Sequence, residues 1–270
     1  MTERLDLDAL AARIPDGANL AIPADYAGVA MAATRALLRR GARNLRLVTV
    51  PTSGLQADML IGAGAVEEIE TSGVTLNEHG LAPRFTAAAK AGKLKIAEST
   101  CPAIHAGLQA AEKGAPFMPL RGLLGSDVLA RRKDWRVADN PFGAAGDAIA
   151  LLPAIKPDIA LFHAVRADRQ GNVWIGRRRE LAAMAHASAA TLVTVEEIAD
   201  RDLMASDQTA AGVLSALYVG AVAVAKRGAW PLGLVDLYPA DEAELARYAA
   251  AARTDAGFAE YLTGALRTAA

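Results

Sequence analysis

Apolar and polar residues follow two rhythms along this chain. Short apolar runs ended by Pro, Gly, Asp or Asn predict strands, and longer stretches with a one-sided apolar face predict helices. Leu5 to Ile14 reads as a short amphipathic helix, followed by the turn Pro15-Asp16-Gly17. Asn19 to Ile22 reads as a strand, Val29 to Arg40 as a helix stopped by Gly41, and Leu45 to Val50 as a second strand. That is a βαβ unit. The rhythm continues with helices over 55–61, 83–91 and 102–113, an extended stretch over 66–69 and a strand over 94–97. Later strands are predicted around Leu151 and Ile155, over Ile159–His163, over Val173–Ile175 and over Thr191–Val195, with a helix over 180–189. Asp241 to Thr268 reads as an alanine-rich helical pair. Alternation of this kind predicts an α/β fold with a mainly parallel open sheet and helices on both faces. The expectation is one domain over 1–270 with a helical segment at about 241–268. The glycine-rich stretch Gly122 to Asp147 is expected to form a long surface excursion near the site.

The run from Pro157 to Asn172 stands out. Ile159, Leu161 and Phe162 carry a buried strand to His163, and the chain then breaks into the polar turn Ala167-Asp-Arg-Gln-Gly-Asn172 before Val173-Trp-Ile175. Open α/β sheets bind ligands beyond the carboxyl ends of their strands, so this turn marks a candidate small-molecule site.

Composition narrows the function. With 270 residues, 53% of them hydrophobic, the chain has material for a substantial core. A net charge of −1 supplies no field to attract nucleic acid. The basic runs Arg39-Arg40, Arg131-Arg-Lys133 and Arg177-Arg-Arg179 read as solvated faces, or for one of them as a patch for the phosphates of a nucleotide-like cofactor. A single cysteine, Cys101, rules out an intrachain disulfide and fits a reducing compartment. The acidic N-terminus is unlike a signal peptide, and the uncharged window from Gln208 to Ala225 is too polar and glycine-rich for a membrane span. The expectation is a cytoplasmic protein without a membrane segment. The four histidines, His79, His105, His163 and His186, lack ligand spacing, so no metal is expected. Gly-x-Ser-x-Gly and Gly-x-Gly-x-x-Gly motifs are absent where a hydrolase elbow or a dinucleotide fingerprint would need them.

The segment Lys156 to Asn172 resembles the signature of the A (alpha) subunit of family I coenzyme A transferases. Pro116 to Asp127, Thr194-Val-Glu-Glu-Ile198, Gly228-Ala-Trp-Pro231 with Tyr238 and Asp241, and Gly80-Leu-Ala-Pro83 agree in order. The resemblance runs over nearly the whole chain, toward glutaconate CoA-transferase-like alpha subunits. It departs at Ile22-Pro-Ala-Asp-Tyr-Ala-Gly28, where relatives often have a glycine-rich turn, and at Trp230, where they often have histidine. The resemblance implies the NagB/RpiA/CoA-transferase-like fold and an acyl-CoA:carboxylate CoA-transferase acting on a dicarboxylic or oxo-acid. It implies coenzyme A as a substrate moiety, no permanently bound cofactor, and a glutamyl-CoA intermediate on a separate beta subunit. On that reading no catalytic nucleophile is expected on this chain; should it carry one, Glu78 or Glu98 is the candidate. The alternatives are a CoA-thioester or ring-cleaving hydrolase on the same scaffold, and a non-catalytic acyl-CoA- or effector-binding module.

Residues placed to face such a site are Glu98, Ser99 and Cys101, beyond a strand end, although Ser99 or Thr100 also suits as the cap of the following helix. Glu78 and His79 form a polar tip, suited either to acid–base work or to a solvent-facing turn. His163 reads as a core histidine or a substrate contact. Asp168 and Asn172 read as structural turn residues. Glu196 or Glu197 faces inward and needs a partner, for which Arg166 and Arg201 are suggested.

Overall fold

The computed structural model describes residues 2–267. In chain order its strands are β1 (Glu3–Leu5), β2 (Asn19–Pro23), β3 (Leu45–Val50), β4 (Val66–Thr71), β5 (Lys95–Glu98), β6 (Phe117–Leu120), β7 (Arg136–Asp139), β8 (Ala148–Pro153), β9 (Ile159–Asp168), β10 (Val173–Trp174), β11 (Ala190–Ala199), β12 (Val213–Leu214) and β13 (Ala221–Val224). Its helices are α1 (Leu7–Ala12), α2 (Met31–Arg40), α3 (Leu55–Gly62), α4 (Pro83–Lys90), α5 (Cys101–Glu112), α6 (Asp127–Arg131), α7 (Arg179–Ala187), α8 (Asp207–Ala210), α9 (Glu242–Ala251) and α10 (Asp255–Arg267). The main sheet runs β1-β13-β11-β9-β2-β3-β4-β5, with every neighbouring pair parallel. Strand β10 adds antiparallel to β9 and β12.

Alternation along the central strands assigns the two faces. Leu20, Ile22, Leu45 and Leu47 point into one core with residues of α1, α2, α3, α9 and α10. Ala21, Val48, Val50, Ala160 and Phe162 point into the other with α5 and α7. The expected parallel sheet with helices on both faces is therefore what forms.

Local chemistry shifts some boundaries. Leu5 is not helical: the Asp6 carboxylate accepts the Ala9 N–H at 2.7 Å, so α1 starts at Leu7 and Glu3–Leu5 is free to add as an edge strand on β13. Ile155 lies beyond β8 and packs against α5, where a Cβ on Gly107 would fall 2.6 Å from its Cγ1. Strands β9 and β11 outrun their apolar cores because the polar extensions pair with each other, Arg166 with Glu197 and Asp168 with Ala199. The excursion 122–147 is a surface segment, as expected, but does not lie near the site. It carries α6 and β7, and β7 joins β8 and β6 in a three-stranded antiparallel sheet. It docks on the β4–β5 side through Arg132 to Glu70 (2.8 Å) and Arg131 to Glu98 (2.9 Å), away from the crevice described below. The helical pair is described as far as Arg267, and Thr268 lies outside the described residues. No helix among the described residues is long and apolar enough to cross a membrane.

Candidate functional site

From β2 the sheet grows through β3, β4 and β5 on one side and through β9, β11 and β13 on the other. The carboxyl ends of β2 and β9 thus flank the point where strand order reverses, which in open α/β sheets leaves a crevice. Two cavities open there, of about 680 Å³ and about 390 Å³. Tyr26 and the segment Leu234–Leu237 line both and form the partition between them.

Beneath the partition lies a closed polar cluster. His163 on β9 and Thr194 on β11 are register partners, and His163 Nδ1 sits 2.9 Å from Thr194 Oγ1. Two residues on, Glu196 shares that face, and its Oε1 lies 2.9 Å from His163 Nε2. Tyr238 donates its hydroxyl to the same oxygen at 2.8 Å, and the Arg227 and Gly228 N–H groups donate to the carboxylate at 2.8 and 3.2 Å. Burial pushes the Glu196 carboxyl up, but the bonds from His163, Arg227 and Tyr238 outweigh it and hold the pKa down to about 2. Tyr238 is raised, by burial and by the anion it donates to. His163 is fully buried. The cluster pins β9, β11 and the 227–238 loop together.

Gly28 makes the floor of the crevice possible. The His163 N–H donates to its carbonyl at 2.7 Å, its φ is +91°, and a Cβ there would meet the His163 carbonyl oxygen at 2.2 Å. Gly54 does the same for Asp25, whose Oδ2 accepts the Leu55 N–H at 3.2 Å; a Cβ on Gly54 would fall 2.1 Å from that oxygen. Asp25 lines the larger cavity, and its Oδ1 is shielded without a hydrogen-bond partner. Burial raises its pKa to about 6, against the lowering effect of the Leu55 and Gly54 N–H groups and with some help from Asp58.

The crevice gathers some of the residues singled out from sequence and leaves others outside. Glu78 and His79 line the larger cavity on a short turn, and His79 Nε2 pairs with Glu242 Oε2 at 2.9 Å rather than with Glu78. His163 borders the smaller one. Glu98, Ser99 and Cys101 lie at the end of β5, three strands from β2, or about 14 Å at the usual strand spacing. There Glu98 is half-exposed and paired with Arg131, Ser99 is buried, and the exposed Cys101 has its Sγ 3.2 Å from Ser72 Oγ. Thr100 caps α5, accepting the Ala103 N–H at 3.3 Å. Of the paired glutamates, Glu196 is the inward one, and its partners are His163, Tyr238 and backbone rather than Arg166 or Arg201. Arg166 stands 3.5 Å from the outward Glu197. Asp168 and Asn172 hold the turn, with Asn172 Nδ2 donating to Asp168 Oδ2 at 2.9 Å. Sequence reasoning missed Asp25. It sits in a strand-end turn that invites attention, but nothing in the sequence announces that Gly54 would admit it to the start of α3. Among the described residues no three His, Cys, Asp or Glu side chains gather as metal ligands.

The profile of the coenzyme A transferase family matches residues 4–222. This chain belongs to the coenzyme A transferase family. The A subunit of the 3-oxoadipate CoA-transferase of Pseudomonas knackmussii is 32% identical over 74% of this chain and 72% of its own length. A cholesterol ring-cleaving hydrolase IpdA subunit of Rhodococcus jostii is 30% identical, with coverage of 87% and 82%. A protein of Archaeoglobus fulgidus is 32% identical over 83% of this chain, which spans only 50% of that relative. Glutaconate CoA-transferase of Acidaminococcus fermentans superposes with a TM-score of 0.88 at 26% identity, covering 97% of this chain and 88% of that one. A variant of the decarboxylase AibA/AibB superposes with a TM-score of 0.86 at 30% identity, covering 99% of both. The resemblance read from the 156–172 segment, to A-type CoA-transferase subunits of the glutaconate kind, is thereby borne out.

Proposed function

We propose that this chain is the A-type subunit of an acyl-CoA:carboxylate CoA-transferase, folded as one unit and working in the cytoplasm with a B-type partner. It moves CoA between a thioester and a small dicarboxylic or oxo-acid. A glutamate on the partner attacks the thioester carbonyl and expels the CoA thiolate, giving a mixed anhydride. The thiolate then attacks the glutamyl carbonyl and releases the first acid, giving a glutamyl-CoA thioester, from which a second acid takes the CoA by the same steps in reverse. The carrying observation is the state of Glu196. It is the inward carboxylate under the crevice, yet two backbone N–H groups, His163 and Tyr238 occupy it, and its pKa of about 2 makes it a poor nucleophile. The crevice therefore calls for a carboxylate from outside this cluster. Support also comes from the A subunit of a 3-oxoadipate CoA-transferase, and from the relative that this chain covers over only half its length, which leaves room there for a second half about as large as the matched stretch. This chain's part is to wall the acyl group off from water and position it. Glu78 and His79 are the proposed substrate-facing residues of the larger cavity, and His163 sets the floor. Coenzyme A is a substrate moiety in this scheme, not a resident cofactor.

The test is reconstitution with the cognate B-type subunit. The expected result is CoA exchange among small dicarboxylates, with borohydride reducing a glutamyl thioester on the partner. Label on Glu78 or Glu98 of this chain would overturn the assignment of the nucleophile.

One observation favours a second reading, hydrolysis or another protic reaction. Asp25, with a pKa of about 6 on the wall of the larger cavity, can exchange a proton near neutral pH. Release of free thiol without an acceptor acid, abolished in Asp25→Asn, would favour it over transfer.

A further inference from the structure

The smaller cavity differs in chemistry from its neighbour. Arg166, Arg177 and Arg178 line it, against one carboxylate, Asp236, in a protein whose net charge is −1. Two of these arginines are held in place. Arg166 is on the paired extension of β9, opposite Trp174 on β10 and Glu197 on β11. Its Nε is shielded and has no hydrogen-bond partner, and the nearest carboxylate oxygen, on Glu197, is 3.5 Å away. Arg178 follows β10 and lies over the Tyr26 ring at 5.6 Å from its centroid, on the partition shared with the larger cavity. Arg177 adjoins it and is exposed at the rim.

A solvated basic face would leave these groups spread over a convex surface. Here they converge on a concavity of about 390 Å³ at the carboxyl end of a central strand, across the Tyr26 partition from the larger cavity. Guanidinium forks pair bidentately with carboxylates and phosphates, and low-dielectric walls strengthen that attraction.

We infer that this smaller cavity is a subsite for an anionic oxygen-rich group of the substrate, with Arg166 and Arg178 as its fixed counter-charges and Arg177 at its mouth. The inference rests on the acyl-CoA reading and supplies its specificity. Such a group comes either from the free carboxylate of a dicarboxylic acyl chain or from the 3′-phosphate of CoA itself. Tyr26 and Leu234–Leu237 then separate the anion from the part of the ligand in the larger cavity.

The experiment titrates the full-length chain, alone and with its B-type partner, with glutaryl-CoA, butyryl-CoA, CoA and dephospho-CoA in a calorimeter. A charge-assisted contact in such a site is worth about tenfold in affinity. The wild type is expected to prefer glutaryl-CoA over butyryl-CoA by that factor if the carboxylate enters, or CoA over dephospho-CoA if the phosphate does. Arg166→Gln and Arg178→Gln should each erase that preference without moving affinity for the probe lacking the anion by more than about twofold, and Arg178→Lys should restore part of it. Matching far-ultraviolet circular dichroism guards against misfolding in the Gln variants. No preference in the wild type, or a preference that survives both Gln variants, overturns the subsite. CoA exchange is scored separately: loss of exchange with the anion preference intact sinks the transferase reading instead.

Discussion

At the residue scale the crevice depends on Glu196 and Gly28. The folded Glu196 pKa, about 2, lies below its ordinary 4.5, so its contribution to stability is present above about pH 4.5 and is lost as pH falls toward 2. Discounted for solvent screening, its size is on the order of 1–3 kcal/mol. Urea unfolding at several pH values should show the wild type weakening below pH 4.5 and Glu196→Gln weakening much less, from a lower starting stability. Gly28→Ala puts a Cβ 2.2 Å from the His163 carbonyl oxygen on a backbone with φ of +91°. It should lose about 3 kcal/mol or more, read as a lowered midpoint in thermal or urea unfolding. Both residues sit in segments the sequence flagged. That each meets His163 was not legible, because Gly28 does so only when β2 and β9 lie side by side, and Glu196 only when β9 and β11 do.

At the scale of elements, the C-terminal helical pair is docked by a buried polar contact. Tyr248 on α9 donates its hydroxyl to Asp58 Oδ2 on α3 at 2.7 Å, and the Phe85 N–H of α4 donates to Oδ1 at 2.7 Å. Burial nevertheless raises the Asp58 pKa to about 6, because those bonds do not offset the lost hydration. The folded state then binds this proton more tightly than the unfolded chain, so the Asp58 contribution to stability declines as pH rises from about 4 to about 6. Asp58→Asn should remove that part of the decline, leaving the part due to Asp25. Tyr248→Phe should cost about 1–3 kcal/mol and speed hydrogen exchange in α9 and α10 before the sheet strands are affected. The pair itself was readable from its alanine-rich pattern. Its partner was not, since Asp58 and Tyr248 are 190 positions apart.

At the scale of the molecule, the order of strands decides what can cooperate. Glu98 and Cys101 end a strand at the far side of the sheet, while Glu78, His79 and His163 border the crevice at its centre. Glu98→Gln and Cys101→Ser should therefore leave kcat/KM for CoA exchange by the reconstituted enzyme within about twofold of wild type. Truncating the polar wall with Glu78→Ala should raise KM, by about tenfold if one charged contact is lost. A tenfold loss of kcat in Cys101→Ser would mean that the β5 end belongs to the site after all.

The sequence by itself determined the elements and the class of fold. Short apolar runs, glycine stops and capping residues act within a few positions, and their alternation leaves a parallel sheet as the arrangement that buries both faces. It also carried the family, through the strand and turn at 156–172. Only the tertiary structure decided which strand ends meet. It placed Glu196 under His163 and Tyr238, opened a gap at Gly54 for Asp25, turned three arginines into one cavity and sent Cys101 to a distant edge. Those outcomes depend on contacts between residues tens to hundreds of positions apart, and local pattern carries no information about such distances.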